Sequence, residues 1–485
     1  RFLLALLGLL AGCTSNPATG ESSFTGFMST EEERRIGAEQ HPKLVAESGG
    51  IYSHRDLGQY VDRVGQSLAR HTEVPNATYK FTVLDDDAVN AFALPGGYIH
   101  VTRGLLALAS NEAELGGVLA HELGHVVARH SAQQYSEALA TTIGVTVLSV
   151  AGAFFGIPPI AGDLVGFGAQ AYLQNYSRDQ EMEADRLAVR YMTRAGYDPQ
   201  ALVTFFGKLD ANARLQAEMV GDPDAADRFN IMSSHPRTIE RLRQASNLAA
   251  VRPVTATKTE EQAYLAQIDG IVFGDSPEDG IRRGRNFVHP DLRIAFRVPP
   301  GFVMRNSQRQ LTAIGPDGSI IVFDSARDEE AARDQSVRAY LTRDWASSVS
   351  LRGVETFQIQ EMEAATGLTR LSLRQGRMDA RLVAIRTAPD RIYRFLFLTP
   401  PEATARFDEA FKQTAYSFRR LNAEEAREVQ PLRIVVRTVA EGDSVRSLAE
   451  PMPFDAYDEG MFRLMNGLRA GAEVQPGQQV KVVVP

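Results

Sequence analysis

The segment "AHELGHVVARH", residues 120–130, gathers three of the chain's nine histidines beside one glutamate. On an α-helix His121 and His125 stand one turn apart and project from the same face. Two imidazoles spaced in this way can both reach a single zinc ion at about 2.1 Å, which is what H-E-x-x-H requires. Glu122 sits one step round the helix, off the ligand stripe, where its carboxylate can address water at the metal without ligating it. His130 comes five residues after His125, about 140° round the helix, and that geometry excludes it as a ligand.

H-E-x-x-H is short enough to arise by chance, so the deciding feature is a third ligand. In "SRDQEMEADR" Glu181 and Asp185 are four apart and share a helix face, while Glu183 points about 200° away from Glu181. Glu181 can complete a two-His, one-Glu site with a fourth position left for water. Asp185 can accept the outer N–H of a ligating histidine and fix its tautomer. A solvated acidic helix face is the ordinary fate of E-x-x-x-D, and the pairing with HELGH argues against it here.

These residues need rigid elements to hold them. Residues 29–262 read as mostly helical, opening at "STEEERRIGAEQH" with Ser29 as N-cap. A strand pair interrupts the helices near "YKFTVLDDDAVNAFALPGGYIHVTRGLL", with Pro95-Gly96-Gly97 as its turn. The span "EAELGGVLAHELGHVVARHSAQQYSEAL" reads as one long helix, with Leu115, Val118 and Leu119 on its apolar face and Gly124 leaving room beside the site. The helix "SRDQEMEADRLAVRYMTRAG" stops at Gly196. The strand edge at Asn90, Ala91, Phe92, Ala93 and Leu94 could hold a substrate chain as an added strand.

Residues 263–275 read as a linker. From 276 to 421 the chain alternates like strands, with helices in "EEAARDQSVRAYLTRDWASS" and "EATARFDEAFKQTAYSFRRL", which indicates an α+β domain with an antiparallel sheet. No catalytic constellation occurs there, and its His289, placed before a proline, reads as structural. Residues 432–485 read as strand, helix, helix, strand, with Gly442-Asp443-Ser444, Asn466-Gly467 and Pro476-Gly477 as punctuation. The fold class expected is multidomain α+β: a mainly helical domain with a small sheet, an α+β domain, then a small βααβ module.

With 485 residues the chain exceeds one ordinary core. Its composition, 44% hydrophobic and 23% charged, is that of a folded protein, and a net charge of −8 gives no footprint for nucleic acid. Residues 1–12 carry one positive charge and a short apolar run, as a secretory signal does. Leu10-Ala11-Gly12-Cys13 resembles a bacterial lipobox, whose cysteine is lipid-modified. Cys13 is the single cysteine, so no internal disulfide can form. Residues 13–28 would be a polar tether, and Thr14 rather than Asp after the cysteine favours the outer membrane. The uncharged stretch 138–162 reads as a buried helical hairpin, with shallow lipid contact as the alternative. "GFGAQA" at 166–171 lacks the βαβ context of a dinucleotide site.

Four ordered motifs, "NAFALPGGYIHVTRGLL", "GVLAHELGHVVARHS", "RDQEMEADRLAVRYM" and "SSHPRTIERL", resemble those of zinc metalloproteases related to the CAAX prenyl endopeptidases. Within that group they are most similar to the lipid-anchored periplasmic branch, and the likeness covers residues 29–260. It implies a gluzincin endopeptidase with one Zn2+, held by His121, His125 and Glu181, and with Glu122 as catalytic base. It also places His235 near the metal, either steadying the oxyanion or gating the site as a fourth ligand. Arg241 would supply a positive charge to the oxyanion or a substrate carbonyl. His100 stands where the pattern leads one to expect an aromatic. Residues 432–485 resemble a LysM module, which implies peptidoglycan as a possible partner, and 276–421 are similar to PsbP-type domains. The leading reading is a periplasmic zinc endopeptidase of misfolded or envelope proteins in a Gram-negative bacterium. A chaperone or assembly factor for outer-membrane proteins, and a cell-wall-binding protein, are the alternatives.

Overall fold

In the computed structural model Ser29 caps helix α1 (Thr30–Glu47), its Oγ accepting from the amide of Glu32 at 3.2 Å. The structure describes residues 13–26, 28–137, 176–219, 239–251, 255, 257–307, 309–326, 335–373 and 376–485. They fall into two units, one of residues 1–273 with 433–484, the other of 274–432. The signal segment 1–12, the stretch 138–162, the sequence 166–171 and His235 lie outside the described residues.

In the first unit helix α2 (Leu57–Ala69) buries Tyr60, Val61, Val64 and Leu68, a stripe at helical spacing. Strands β3 (Lys80–Leu84), β4 (Ala91–Leu94) and β5 (Tyr98–Thr102) form a sheet in the order β3-β5-β4. This is three strands rather than the pair expected, because β5 runs parallel to β3 as well as antiparallel to β4. The β4–β5 turn needs its glycines: a Cβ on Gly97 would lie 2.3 Å from the carbonyl oxygen of Thr78. The tether 13–28 is also more ordered than its composition predicts. Strands β1 (Cys13–Ser15) and β2 (Ser22–Phe24) pair antiparallel within it.

Helix α3 (Arg103–Leu108) leads to α4 (Glu112–Val127), where the side chain of Asn111 accepts from the amide of Glu114. The long helix expected here is broken. Arg129 takes φ +59° and the chain is helical again over 130–137. Arg129 is held in that left-handed conformation by Glu33 (3.0 Å) and the carbonyl of Met28 (2.7 Å). Helix α5 (Arg178–Arg194) starts with a reciprocal Ser177–Gln180 capping box and ends before Gly196, at φ +82°. Helices α6 (Gln200–Met219) and α7 (Ile239–Ala250) follow. The linker expected at 263–275 is instead helix α8 (Glu261–Ile268) and strand β6 (Val272–Phe273). Tyr264, Leu265 and Ile268 are buried, with Tyr264 donating to the carbonyl of Leu106 at 2.6 Å.

In the second unit β7 (Ile281–Arg283), β8 (Asn286–His289), β9 (Ile294–Arg297) and β17 (Arg419–Arg420) form a sheet in the order β17-β9-β8-β7. A second sheet has seven antiparallel strands, with β15 (Gly376–Ala388) and β16 (Arg391–Thr399) near its middle. Along β16 Phe395 and Phe397 enter one core while Leu396 and Leu398 face another. Helix α9 (Thr404–Tyr416) covers the first face with Phe407 and Phe411. Helical turns Val337–Ala339 and Tyr340–Trp345 cover the other.

The C-terminal segment folds as strand, helix, helix, strand and belongs to the first unit. Strand β18 (Leu432–Thr438) lies between β19 (Gln479–Val484) and β6. From β19 the buried Lys481 donates to the carbonyls of Ala107, Leu108 and Ala109 at 2.7, 3.2 and 2.6 Å. These are end-of-helix acceptors with no partner inside α3. Among the described residues no helix is long and apolar enough to cross a membrane.

Candidate metal centre

Helices α4 and α5 meet at Gly124. A Cβ there would stand 3.1 Å from the Cα and carbonyl oxygen of Ala184, so the glycine serves helix approach rather than space at the site itself. That approach brings Glu181 to the two histidines. The Nε2 atoms of His121 and His125 are 3.0 Å apart. Carboxylate oxygens of Glu181 lie 3.5 Å from the first and 3.4 Å from the second. Donors at about 2.0–2.1 Å around a tetrahedral zinc would be separated by about 3.4 Å, so this set has the size of a zinc site. All three residues are buried, and the grouping is one that could hold a metal ion.

The outer nitrogens show which ring atoms are bare. Nδ1 of His121 is 2.9 Å from Oδ1 of Asp185, which favours the proton there and leaves Nε2 as a lone-pair donor. Nδ1 of His125 is 2.8 Å from Nδ1 of His130, whose Nε2 is 3.3 Å from Glu183. Glu183 also accepts from Nδ2 of Asn16 at 2.7 Å. Two bare imidazole nitrogens and a carboxylate facing one point suit a shared cation.

Without metal, a proton on Nε2 of His121 takes the place of that cation. Burial works against a charge on His121, but its bonds to Asp185 and Glu181 outweigh it and push its pKa up to about 9. Burial likewise opposes the charge on Asp185, yet Arg241 and His121 hold that carboxyl below the usual carboxylate range. For His130 burial prevails over the pull of Glu183 and its pKa is lowered. Glu122 is buried beside the ligands, close enough that its charge acts on Tyr176 and Arg241. The ring of Tyr176 stacks on His125 at 3.9 Å.

Arg241 stands against the ligands. Its Nε and Nη2 donate to Asp185 at 2.7 and 2.8 Å, and Nη1 contacts Glu181 at 2.5 Å. The guanidinium also lies over the Phe206 ring at 5.2 Å, so its bonds tie the ligand Glu181 to its neighbour Asp185. Glu183 and His130 carry a role that helical phase alone did not suggest, because the break at Arg129 resets the direction of His130. His100 is fully buried, stacks on Phe92 at 4.9 Å and meets Nδ1 of His41 at 2.9 Å. Burial first, and then His41, push its pKa down to about 3, so it packs as a neutral ring. Strand β4 with Asn90 is at the edge of its sheet. A cavity of about 200 Å³ borders Leu94, Gly97 and His125.

Residues 56–249 match Peptidase family M48. The "Beta-barrel assembly-enhancing protease" of Escherichia coli (strain K12) is 29% identical over 272 residues, 55% of this chain and 52% of that protein. The Yersinia pestis protein of the same name is 31% identical over 247 residues, 47% and 50% of the two chains. The "Mitochondrial metalloendopeptidase OMA1" of Schizosaccharomyces pombe is 28% identical over 219 residues, 45% and 61%. The chain thus spans about half to three-fifths of the length of these curated relatives. A solved cyanobacterial PsbP covers 30% of this chain and 98% of its own at 12% identity, with a TM-score of 0.23, too low to assign a fold. The helices that carry His121, His125, Glu122 and Glu181 lie inside the matched stretch, so it is over these residues that the chain is similar to Peptidase family M48.

Proposed function

We propose that the chain is a zinc endopeptidase of the bacterial envelope that cleaves misfolded or extended protein segments. The observation that carries this reading is the convergence of three donor groups at 3.0–3.5 Å with the buried Glu122 next to them. His121, His125 and Glu181 would hold the ion, and zinc bound there would supply Lewis acidity toward water and the scissile carbonyl. Glu122 takes the proton of the attacking water and delivers it to the leaving amine. Asp185 and Arg241 keep His121 and Glu181 oriented, and the His130–Glu183–Asn16 chain does the same for His125. The edge strand at Asn90–Leu94 receives the substrate as an added strand, so recognition is mainly through main-chain groups. Lipid on Cys13 holds the protein at the periplasmic face of the outer membrane, and His235 acts at the site as gate or oxyanion donor. The βααβ order of 432–485 supports a LysM-like reading with peptidoglycan as ligand.

Cleavage of casein tests the activity: a chelator should abolish it and zinc restore it, and cleavage indifferent to chelation would overturn the reading. Cys13→Ser should move the protein from the membrane to the soluble fraction. A second reading, assembly of outer-membrane proteins, is favoured by the name of the Escherichia coli relative. An inactive Glu122→Gln protein that still restores outer-membrane protein assembly in cells lacking the chain would favour that reading.

A further inference from the structure

The second unit carries a basic groove for which the peptidase reading has no use. Strand pairing sets Arg283 opposite Asn286, and Asn286 opposite Arg297. Directly paired residues share a face, so these three side chains form one row across β7, β8 and β9. Arg419 pairs with Ala295, two residues before Arg297, and therefore stands on the same face. Arg285 joins from the β7–β8 turn. The opposite face of the sheet sends Phe287 and Phe296 into the core. Together with the end of α9 around Gln413 and Thr414, the arginine face encloses a cavity of about 530 Å³. That is within the roughly 300–1,000 Å³ usual for small-molecule sites.

The charge balance in the groove is one-sided. Arg419 is paired with Glu425 at 2.8 Å. Arg283, Arg285 and Arg297 bond only to neutral acceptors: the carbonyls of Gln430 (2.6 Å) and Val298 (2.9 Å) and Oδ1 of Asn286 (3.0 Å). Among the described residues no aspartate or glutamate lines the cavity. Like charges in one cross-strand row repel, and this row persists in a chain whose net charge is −8. Each of those bonds uses one donor of a guanidinium that has five, so most of the fork remains for an anion. Guanidinium forks match phosphate oxygens in pairs. Strands about 4.8 Å apart put the backbones of Arg283 and Arg297 about 10 Å apart, a spacing for more than one phosphate.

We propose that this groove binds a compound bearing two or more phosphate groups, with Arg283, Arg285 and Arg297 as its anion ligands. The source is either a soluble polyphosphate or the headgroup of a lipid surface, and the chemistry recognised is the same. The site is independent of the metal centre, so the proposal stands or falls apart from peptidase activity.

The test uses the full chain as Cys13→Ser, so that no lipid on the protein contributes, with inorganic triphosphate as probe in calorimetry. Saturable binding should weaken by roughly tenfold or more in Arg283→Gln/Arg297→Gln, as loss of charge-assisted bonds implies. It should recover in part in the double Lys variant, and be unchanged in Arg338→Gln, whose helical turn covers the other face of the seven-stranded sheet and whose guanidinium bonds to the carbonyl of Val354. Fluorescence of Trp345, the one tryptophan, verifies that this unit is folded in each variant. Sedimentation with phosphatidylcholine vesicles, with and without cardiolipin, then separates the sources. Retention on cardiolipin that the double Gln variant loses assigns a lipid surface, and triphosphate binding without retention assigns a soluble anion. No saturable triphosphate binding, or equal affinity in the parent and the double Gln variant, overturns the proposal.

Discussion

Replacing Arg241 by methionine should cost the metal-free first unit about 3–5 kcal/mol, the usual cost of removing one partner from a buried ion pair. The guanidinium is 2% exposed and reaches two fully buried carboxylates, Asp185 and Glu181. Methionine fills much of the volume and returns none of the charge. Asp185 would keep only its 2.9 Å contact with His121, and its pKa should rise. A carboxyl held low in the folded state lends stability above its unfolded pKa and loses it as pH falls through the folded value. The variant should therefore lose less stability than the parent on acidification below the ordinary Asp range. Zinc should restore part of the loss, because it supplies the charge that Glu181 lacks. Urea denaturation followed by far-UV circular dichroism reads the helical unit, while fluorescence of Trp345 reads the second unit and should be unchanged. Equal stability of Arg241→Met and parent without metal, across the acid range, would refute the assignment of Arg241 as the group that holds the two carboxylates.

His130→Ala should weaken zinc binding by about 10–100-fold while leaving cleavage recoverable in excess zinc, since it removes an orienting partner and no ligand. A zinc titration followed by activity decides it, and unchanged affinity would return His130 to a packing role. For His121 the folded pKa of about 9 lies above the ordinary 6.5, so its proton stabilises the metal-free protein fully below pH 6.5 and ceases to do so as pH rises through about 9. Apparent zinc affinity should climb over that interval, with proton release on binding measurable in buffers of different ionisation heat. Lys481→Met should strand the three carbonyls at the end of α3 and destabilise the first unit by roughly 1–3 kcal/mol or more, read by the same urea transition.

What the sequence made legible follows from helical arithmetic. The i,i+4 spacing of His121 with His125, and of Glu181 with Asp185, is maintained inside continuous helices, so which residues could face one ion was readable without a structure. The expectation failed where the helix did. Arg129 is an ordinary residue in a left-handed conformation that nothing in its own neighbourhood announces, because Glu33 and Met28, about a hundred positions away, impose it. His130 therefore meets His125 against the phase that a continuous helix predicts. Arg241 was found as a charge near the site, but its bonds to Asp185 and Glu181 were not, since they are set by the packing of α7 on α5. The C-terminal βααβ order and its caps were readable from Gly and Asn positions. That the segment would share a sheet with Val272–Phe273 was not, since long-range pairing leaves no local pattern.

In the proposed reaction Glu122 moves the proton at a metal held by three other residues. The most direct measurement is zinc content and casein cleavage of Glu122→Gln beside the unmodified protein. Both should carry about one zinc per chain, and the variant should lose cleavage by roughly hundredfold or more. Cleavage at the unmodified rate by a fully zinc-loaded Glu122→Gln protein would contradict it.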